Sequence, residues 1–591
     1  MKKIFLLLLL LTKNLLSIEV YLDAIKYADK DFFNEKSNQI TITETDIKKL
    51  NPKNLSELLK IHNVDLYSRS NIQQDFSLRG NTFEQTKILL DGIPLNDPQT
   101  GHHNCNIPIS LENIKEIQII KSGDLSFYGN NAFGGVINIK TKDSTANSLS
   151  ITYGSFDTYK INSNTNLNTV LISFDSGGSN GYRNNTDYNY YNTYTKFNYK
   201  DYKFSFGYLT KYFGAQDFYA SNRIEYEETK TFFGSITKNF LLSKNLNLDI
   251  NIFTRNGYDY YTTQRYRPEL YNNKHFSQLH GIQWILNFAI NKNFTIQPFV
   301  ETTFKKLDSK GSSSALPTWK GMGKFDDEEY SLSTKFVFNT NKFLIESTVR
   351  EYYLIRYGFL PQYSTMINFY PTLSSNFFVS ASKVFRTPSY TELFYWDPNH
   401  ETSQELKIEK TNEYSAGFSK KFDKINFSIS GYYYEPTNVI DWARTKNTNQ
   451  SWKITNLSKV ESYGTELTLD SNILELNTKI IYSFNTKNFD LPENIEFKYI
   501  ENYPKNSLSF ILFFPEFFGL KTNLTNIYKN YTKTTPTDFL LTNISISKSI
   551  KNIHLTLSIE NIFNTDYQEI PEIPQPKRQV FLTFKYYLGQ N

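Results

Sequence analysis

The chain has little cysteine, methionine or tryptophan: 1, 3 and 5 residues among 591. A lone cysteine, Cys105, excludes an intrachain disulfide and any multi-cysteine metal cluster. Beyond the N-terminus there is no apolar run of about 20 residues, which excludes a bundle of membrane-spanning helices. Excess charge of one sign is also missing. Lys and Arg number 64 and Asp and Glu 59, a formal net charge of +5. That balance gives no support for nucleic acid as a partner. Neither a G-x-S-x-G nor an H-E-x-x-H pattern occurs, so no hydrolase or zincin signature points to an enzyme.

What the chain does have is aromatic side chains: 43 Tyr and 48 Phe, with Trp 16% of all residues. Disordered chains are poor in aromatics. A transmembrane β-barrel alternates lipid-facing and lumen-facing residues and girdles both interfaces with rings, so it combines modest hydropathy with abundant Tyr and Phe. Residues 1–17, MKKIFLLLLLLTKNLLS, carry a basic Lys2-Lys3 start and an apolar core too short to span a bilayer. They read as a secretory signal peptide, followed by an N-terminal segment at 18–37.

Two regions with different patterning follow. Residues 38–142 mix helix and strand signals and read as a small α+β domain. Asn54 is placed to cap a helix with Glu57 reaching back, and Leu55, Leu58 and Leu59 share its apolar face. Ile88–Leu95, Ile114–Ile120 and Gly135–Lys140 read as strands. From 147 to 591 the pattern is period two, as in Tyr202, Phe204, Phe206 and Tyr208, or Ile553, Leu555, Leu557 and Ile559. Tight turns such as Lys200-Asp201 alternate with longer polar stretches such as Asp308 to Lys324. At roughly 20 residues per strand and its share of connection, this region gives about 22 antiparallel strands. In lipid every backbone N–H and C=O must be paired, so such a sheet must close. A lumen that wide is not filled by its own side chains. The preceding domain is the obvious plug.

The motifs in both regions resemble the TonB-dependent outer-membrane receptor family. Phe76-Ser77-Leu78-Arg79-Gly80, Leu90-Asp91-Gly92-Ile93-Pro94, and Tyr128-Gly129 with Ala132 to Ile139 around Gly134-Gly135 are similar to its plug segments. Phe385-Arg386-Thr387-Pro388-Ser389 with Glu392-Leu393, read here as a strand, resembles a barrel motif. Glu560-Asn561-Ile562-Phe563-Asn564 with Tyr567 resembles its penultimate hairpin. Two features depart from the family. The last strand shows Val580, Leu582, Phe584, Tyr586 and Leu588 outward, but Gly589-Gln590-Asn591 follow in place of a terminal aromatic. The TonB box has only Glu19-Val20-Tyr21-Leu22 as its candidate.

The resemblance implies active uptake of a scarce metal chelate, a ferric siderophore or cobalamin, across the outer membrane. It implies the inner-membrane TonB complex, outer-membrane lipid and the chelate as partners, and no cofactor or catalysis. It also implies plug–barrel ion pairs, for which the matching residues are Arg79, Lys121, Glu413 and Glu466. Arg79, Gly80, Asp91, Gly92, Gly134 and Gly135 would shape the plug. Gly101-His102-His103-Asn104-Cys105 falls where plug apical loops meet ligand, and His400, in Trp396-Asp397-Pro398-Asn399-His400, in a barrel loop. Imidazole is a common metal ligand, so the alternatives are a haem receptor using His102 or His103 with His400, or a bare metal site that includes Cys105. The opposing reading is that the His-His-Asn segment caps its own loop through side-chain hydrogen bonds. A passive, porin-like channel accounts for the barrel but not for the plug motifs.

Overall fold

The computed structural model describes residues 39–589, apart from 220–222, 315, 398–399, 447, 449, 474 and 490–493. The signal segment 1–17 and the TonB-box candidate Glu19 to Leu22 lie outside the described residues.

The plug is built on a five-stranded mixed sheet. Its strands run Gln39–Thr43, Ile114–Ile120, Gly135–Thr141, Thr86–Leu90 and Ile93–Pro94 in spatial order. Only the pair Gly135–Thr141 with Thr86–Leu90 is parallel. Two short helices, Glu44–Leu50 and Leu55–Ile61, pack against it. The first is closed by a capping box between Thr43 and Asp46, which satisfies two orphan N–H groups at once. The second is capped by Asn54, whose Oδ1 accepts from Glu57 N–H at 2.9 Å. Glu57 reaches back one residue further than the pattern implied, accepting from Lys53 N–H at 2.7 Å. Ile42, Leu58, Phe76, Ile117 and Ile137 form a fully buried core. Gly135 is forced: at φ +133°, an added Cβ would lie 2.8 Å from the Ile120 carbonyl oxygen. In the LDGIP turn, Asp91 accepts from the Thr141 N–H and hydroxyl at 2.8 and 2.6 Å, tying the turn to its neighbour strand.

Twenty-two strands, from Ser148–Gly154 to Gln579–Tyr587, then form a closed antiparallel barrel. Closure is made by the first and last strands, with Ile151 opposite Phe584. Turns such as Lys200-Asp201 and Lys244-Asn245 lie at one rim, and connections such as 313–322 and 387–408 at the other. Along Phe343–Leu354 the usual rule is inverted. Arg350, 1% exposed, and Glu346 point inward, while Val349, 58% exposed, and Tyr353 point outward. A soluble protein cannot afford that arrangement, whereas a lipid-facing wall around a polar lumen requires it.

The plug and ligand basin as candidate functional site

Among the polar joints between plug and wall, two involve the family-like segments, and pairs such as Lys53–Glu560, Asp97–Arg255 and Asp124–Lys335 add to them. In the first, the four residues implied by the family motif come together. Arg79 donates from Nη2 and Nε to Glu466 Oε2 at 2.7 and 3.2 Å, and Lys121 Nζ donates to Glu466 Oε1 at 2.6 Å. Glu413 Oε1 lies 3.7 Å from Arg79 Nη1. Arg79 Nη1 also donates to the Tyr434 hydroxyl and the Lys121 carbonyl, and the guanidinium lies over the Tyr432 ring at 4.1 Å. The two tyrosines were not singled out from sequence, although the inward register of Tyr432 and Tyr434, two apart on one strand, carries them. Gly80 follows Arg79 with φ +66°, and a Cβ there would crowd the Tyr503 ring at 3.1 Å.

The second joint departs from the strand expected for the FRTPS segment. The strand ends at Arg386, and Ser389 caps a one-turn helix, Tyr390–Phe394, in a capping box with Glu392. Arg386 is gripped by two carboxylates. Its Nη1 and Nη2 reach Glu392 at 2.8 and 2.9 Å, and its Nε and Nη2 reach Glu409 at 2.9 and 2.8 Å. The plug engages this cluster through Gln85 Nε2, which donates to Glu409 Oε2 at 3.0 Å. Glu84 accepts from Gly101 N–H at 2.6 Å and from the Ser389 hydroxyl at 3.3 Å. Burial and the nearby Glu392 push the Glu84 carboxyl up to about 8. Arg386 and Glu392 belong to the quoted motif. Glu84, Gln85 and Glu409 had no local signal.

The apical loop of the plug carries the histidines. His102 Nδ1 donates to Asp75 at 2.9 Å, its Nε2 accepts from the Tyr499 hydroxyl at 3.4 Å, and its ring packs on Phe83 at 4.3 Å. Burial, reinforced by Arg69, lowers its pKa to about 4. His103 sits at φ +66° and its Nε2 lies 3.0 Å from Glu227. Burial opposes its charge, but Glu227 and Asp259 raise its pKa to about 9. Asn104 accepts from Phe76 N–H at 2.7 Å and donates to the Phe76 carbonyl at 2.9 Å, so it anchors the loop. His400 is occupied as well: Nδ1 by Asp397 at 3.0 Å and Nε2 by Lys498 at 3.2 Å. Cys105 does not join them; its Sγ lies 3.8 Å from Lys211 Nζ.

Aromatic rings from several barrel loops surround this apex. His102 lies 5.9 Å from both Tyr219 and Tyr499. Tyr219 packs edge-on against Tyr261 at 5.2 Å, and Tyr271 stacks on Trp319 at 5.6 Å. Trp319 in turn meets Tyr395 and Trp396. Arg69 lies over Tyr219 and Arg444 over Trp452. Tyr261, Tyr271 and Trp319 are buried against their neighbours and Trp396 is exposed, so the apex is a packed aromatic cluster open at one edge, rich in the faces and phenol groups that contact large ligands.

A closed 22-strand barrel with an inserted plug is the architecture of an outer-membrane receptor. Residues 121–563 match the family model described as "TonB dependent receptor-like, beta-barrel" and residues 34–136 the "TonB-dependent Receptor Plug Domain". The chain belongs to the TonB-dependent receptor family, whose members sit in the outer membrane. Among curated relatives, the vitamin B12 transporter BtuB of Vibrio vulnificus (strain YJ016) is 22% identical over 466 residues, 73% of each chain. Among solved structures, the siderophore receptor PirA of Acinetobacter baumannii has TM-score 0.73 at 12% identity, covering 93% of this chain and 98% of that one. The copper transporter OprC has TM-score 0.77 at 14% identity, covering 93% and 99%.

Proposed function

We propose that this receptor binds a bulky metal chelate, a ferric siderophore or cobalamin, in the aromatic basin above the plug and takes it up with energy from TonB. The observation that carries the reading is the seat of the plug. A wide lumen is sealed by a separate domain, and that domain is held to the wall by buried ion pairs as well as by apolar packing. Buried ion pairs contribute little net stability yet penalise the loss of one partner. A seat of that kind holds a plug in register until it is pulled. TonB would add as a strand to the segment near Glu19 to Leu22, a mode that needs only backbone hydrogen bonds. By name, the curated relatives are vitamin B12 transporters, and the structural neighbours include siderophore receptors and a copper transporter. The haem alternative requires His102 and His400 to give up their present partners on both ring nitrogens.

The test is uptake by cells that express the receptor, with and without TonB, of labelled cobalamin and of a panel of ferric siderophores. Accumulation of one of them only with TonB is expected. Val20→Pro removes a donor N–H and should abolish uptake while surface binding persists. Accumulation of none, or accumulation independent of TonB, would overturn the reading.

A further inference from the structure

Beside the apical loop of the plug, a group of side chains lies outside the Arg79 and Arg386 joints. His103 comes from the plug loop. Glu227 and Asp259 come from the adjacent strands Tyr226–Ser243 and Leu246–Thr262. Asp259 lies opposite Thr229 in the register, two positions along from Glu227, so both carboxylates serve one patch of wall. Each residue offers a ligand atom, and these atoms lie within 4.8 Å of one another.

The independent observation is unused coordinating capacity. The Glu227 side chain is 1% exposed and His103 8%. Glu227 accepts at Oε1 from His103 and, at 3.3 Å, from the Tyr219 hydroxyl, yet its Oε2 is buried with no partner. Asp259 Oδ1 is likewise buried without a partner. Asp259 has only a long contact from Gln99 Nε2, at 3.4 Å to Oδ2. A buried carboxylate oxygen left unpaired costs its desolvation, and two such carboxylates side by side repel each other.

We propose that His103, Glu227 and Asp259 form a binding site for a divalent transition ion of the zinc class, joining the plug loop to the barrel wall. One imidazole nitrogen and two carboxylates are the mixed N/O donor set that zinc accepts, and calcium and magnesium prefer oxygen alone. Three protein ligands leave a position for water. On binding, the ion takes the place of the proton that His103 Nε2 shares with Glu227, and that proton leaves to solvent. The cation offsets both carboxylates, and its bonds run from plug to wall. Occupancy therefore stiffens the plug at its apex, away from the Arg79 seat. This site does not depend on which chelate the receptor carries.

The test uses full-length receptor in detergent, purified without a polyhistidine tag and stripped with EDTA. Zinc is added and bound metal is counted by equilibrium dialysis, with calcium and magnesium as separate probes. One zinc per chain is expected, with affinity at least about 100-fold weaker in Asp259→Asn and in His103→Gln, as loss of one ligand in three implies. Zinc should raise the melting temperature of the wild-type receptor and not that of Asp259→Asn. Heat-modifiable mobility on electrophoresis verifies that each variant is a folded barrel. Should His103→Gln not insert, Asp259→Asn on the wall carries the comparison alone. Absence of stoichiometric zinc, zinc binding unchanged in Asp259→Asn, or calcium bound as tightly as zinc would each overturn the proposal.

Discussion

The plug buries Leu58, Phe76 and Ile137 against one another, whereas the barrel strand Phe343–Leu354 turns Arg350 and Glu346 inward and Val349 to the outside. The two regions obey opposite solvation rules because their surroundings are reversed. One has water-accessible walls around an apolar core, and the other has lipid around a polar lumen. Where they meet, buried polar groups such as Arg79, Lys121, Glu466, Gln85 and Glu409 stand beside apolar wall residues such as Leu171, Phe233, Ile511 and Leu541, which pack on the core of the plug. On one flank the surfaces do not close up. A cavity of about 920 Å³ runs between them, lined by Lys53, Glu57 and Lys60 of the plug and Glu560 and Glu569 of the wall. Space on this flank leaves the plug room to shift, but a shift must part the apolar contacts it shares with Leu171, Phe233 and Ile511.

The sharpest way to break this comparison is to remove one region. Deleting residues 38–142 should leave a heat-modifiable barrel that inserts, because barrel closure between Ser148–Gly154 and Gln579–Tyr587 uses no plug strand. Its single-channel conductance should rise from near zero to that of an open pore, and ligand accumulation should stop. Unchanged conductance would mean that the plug does not seal the lumen.

A smaller effect comes from the seat. Glu466→Ala leaves Arg79 and Lys121 buried without their shared carboxylate, which should destabilise plug seating by about 3–5 kcal/mol. Replacing Arg79 and Lys121 by Met and Glu413 by Gln in the same chain should recover much of that loss, since an uncharged seat has no orphaned ion. Urea titration, followed by channel opening in bilayers, measures both. A Glu466→Ala midpoint equal to wild type would show that the pairs carry no part of the hold.

The general plan was legible in the sequence because period-two alternation and turn spacing are local properties. Arg79 was reachable from its own motif, and Lys121, Glu413 and Glu466 through the plug–barrel pairing that the family resemblance implies. Glu84, Gln85 and Glu409 were not, because their meeting with Arg386 is a matter of barrel register, which no stretch of sequence encodes alone. The short helix Tyr390–Phe394 was legible in principle: Ser389 and Glu392 have capping-box spacing. The histidines were found by type, but their partners Asp75, Glu227 and Lys498 lie on other elements, and of the partners only Asp397 stands in the same quoted segment as its histidine.

The apical loop also gives the plug a dependence on pH. Folded, His102 has its pKa lowered to about 4 by burial and by Arg69, against an ordinary value near 6.5. The unfolded chain therefore binds the proton more readily. His102 contributes its full share of stability above about pH 6.5, and that share is lost as pH falls toward 4, by up to about 3 kcal/mol. Melting temperature of the wild type should drop across this window, and His102→Asn should flatten the drop. A slope that survives in His102→Asn would assign it to other groups.

The smallest change tests whether the basin recognises ligand through faces or through single hydrogen bonds. Tyr499→Phe keeps the ring that packs edge-on against Phe83 at 5.0 Å and removes only the hydroxyl that reaches His102 Nε2 at 3.4 Å. A bond of that length is weak, so plug stability should fall by no more than about 0.5–1.5 kcal/mol. Ligand affinity should change less than tenfold if aromatic area dominates, and Tyr499→Ala, which removes the ring, should cost distinctly more. Equal losses in the two variants would show that the phenol oxygen itself meets the ligand. The basin would then be a site of directed polar contacts, chemically closer to the seat below it than to the flat-faced receptor surface its rings suggest.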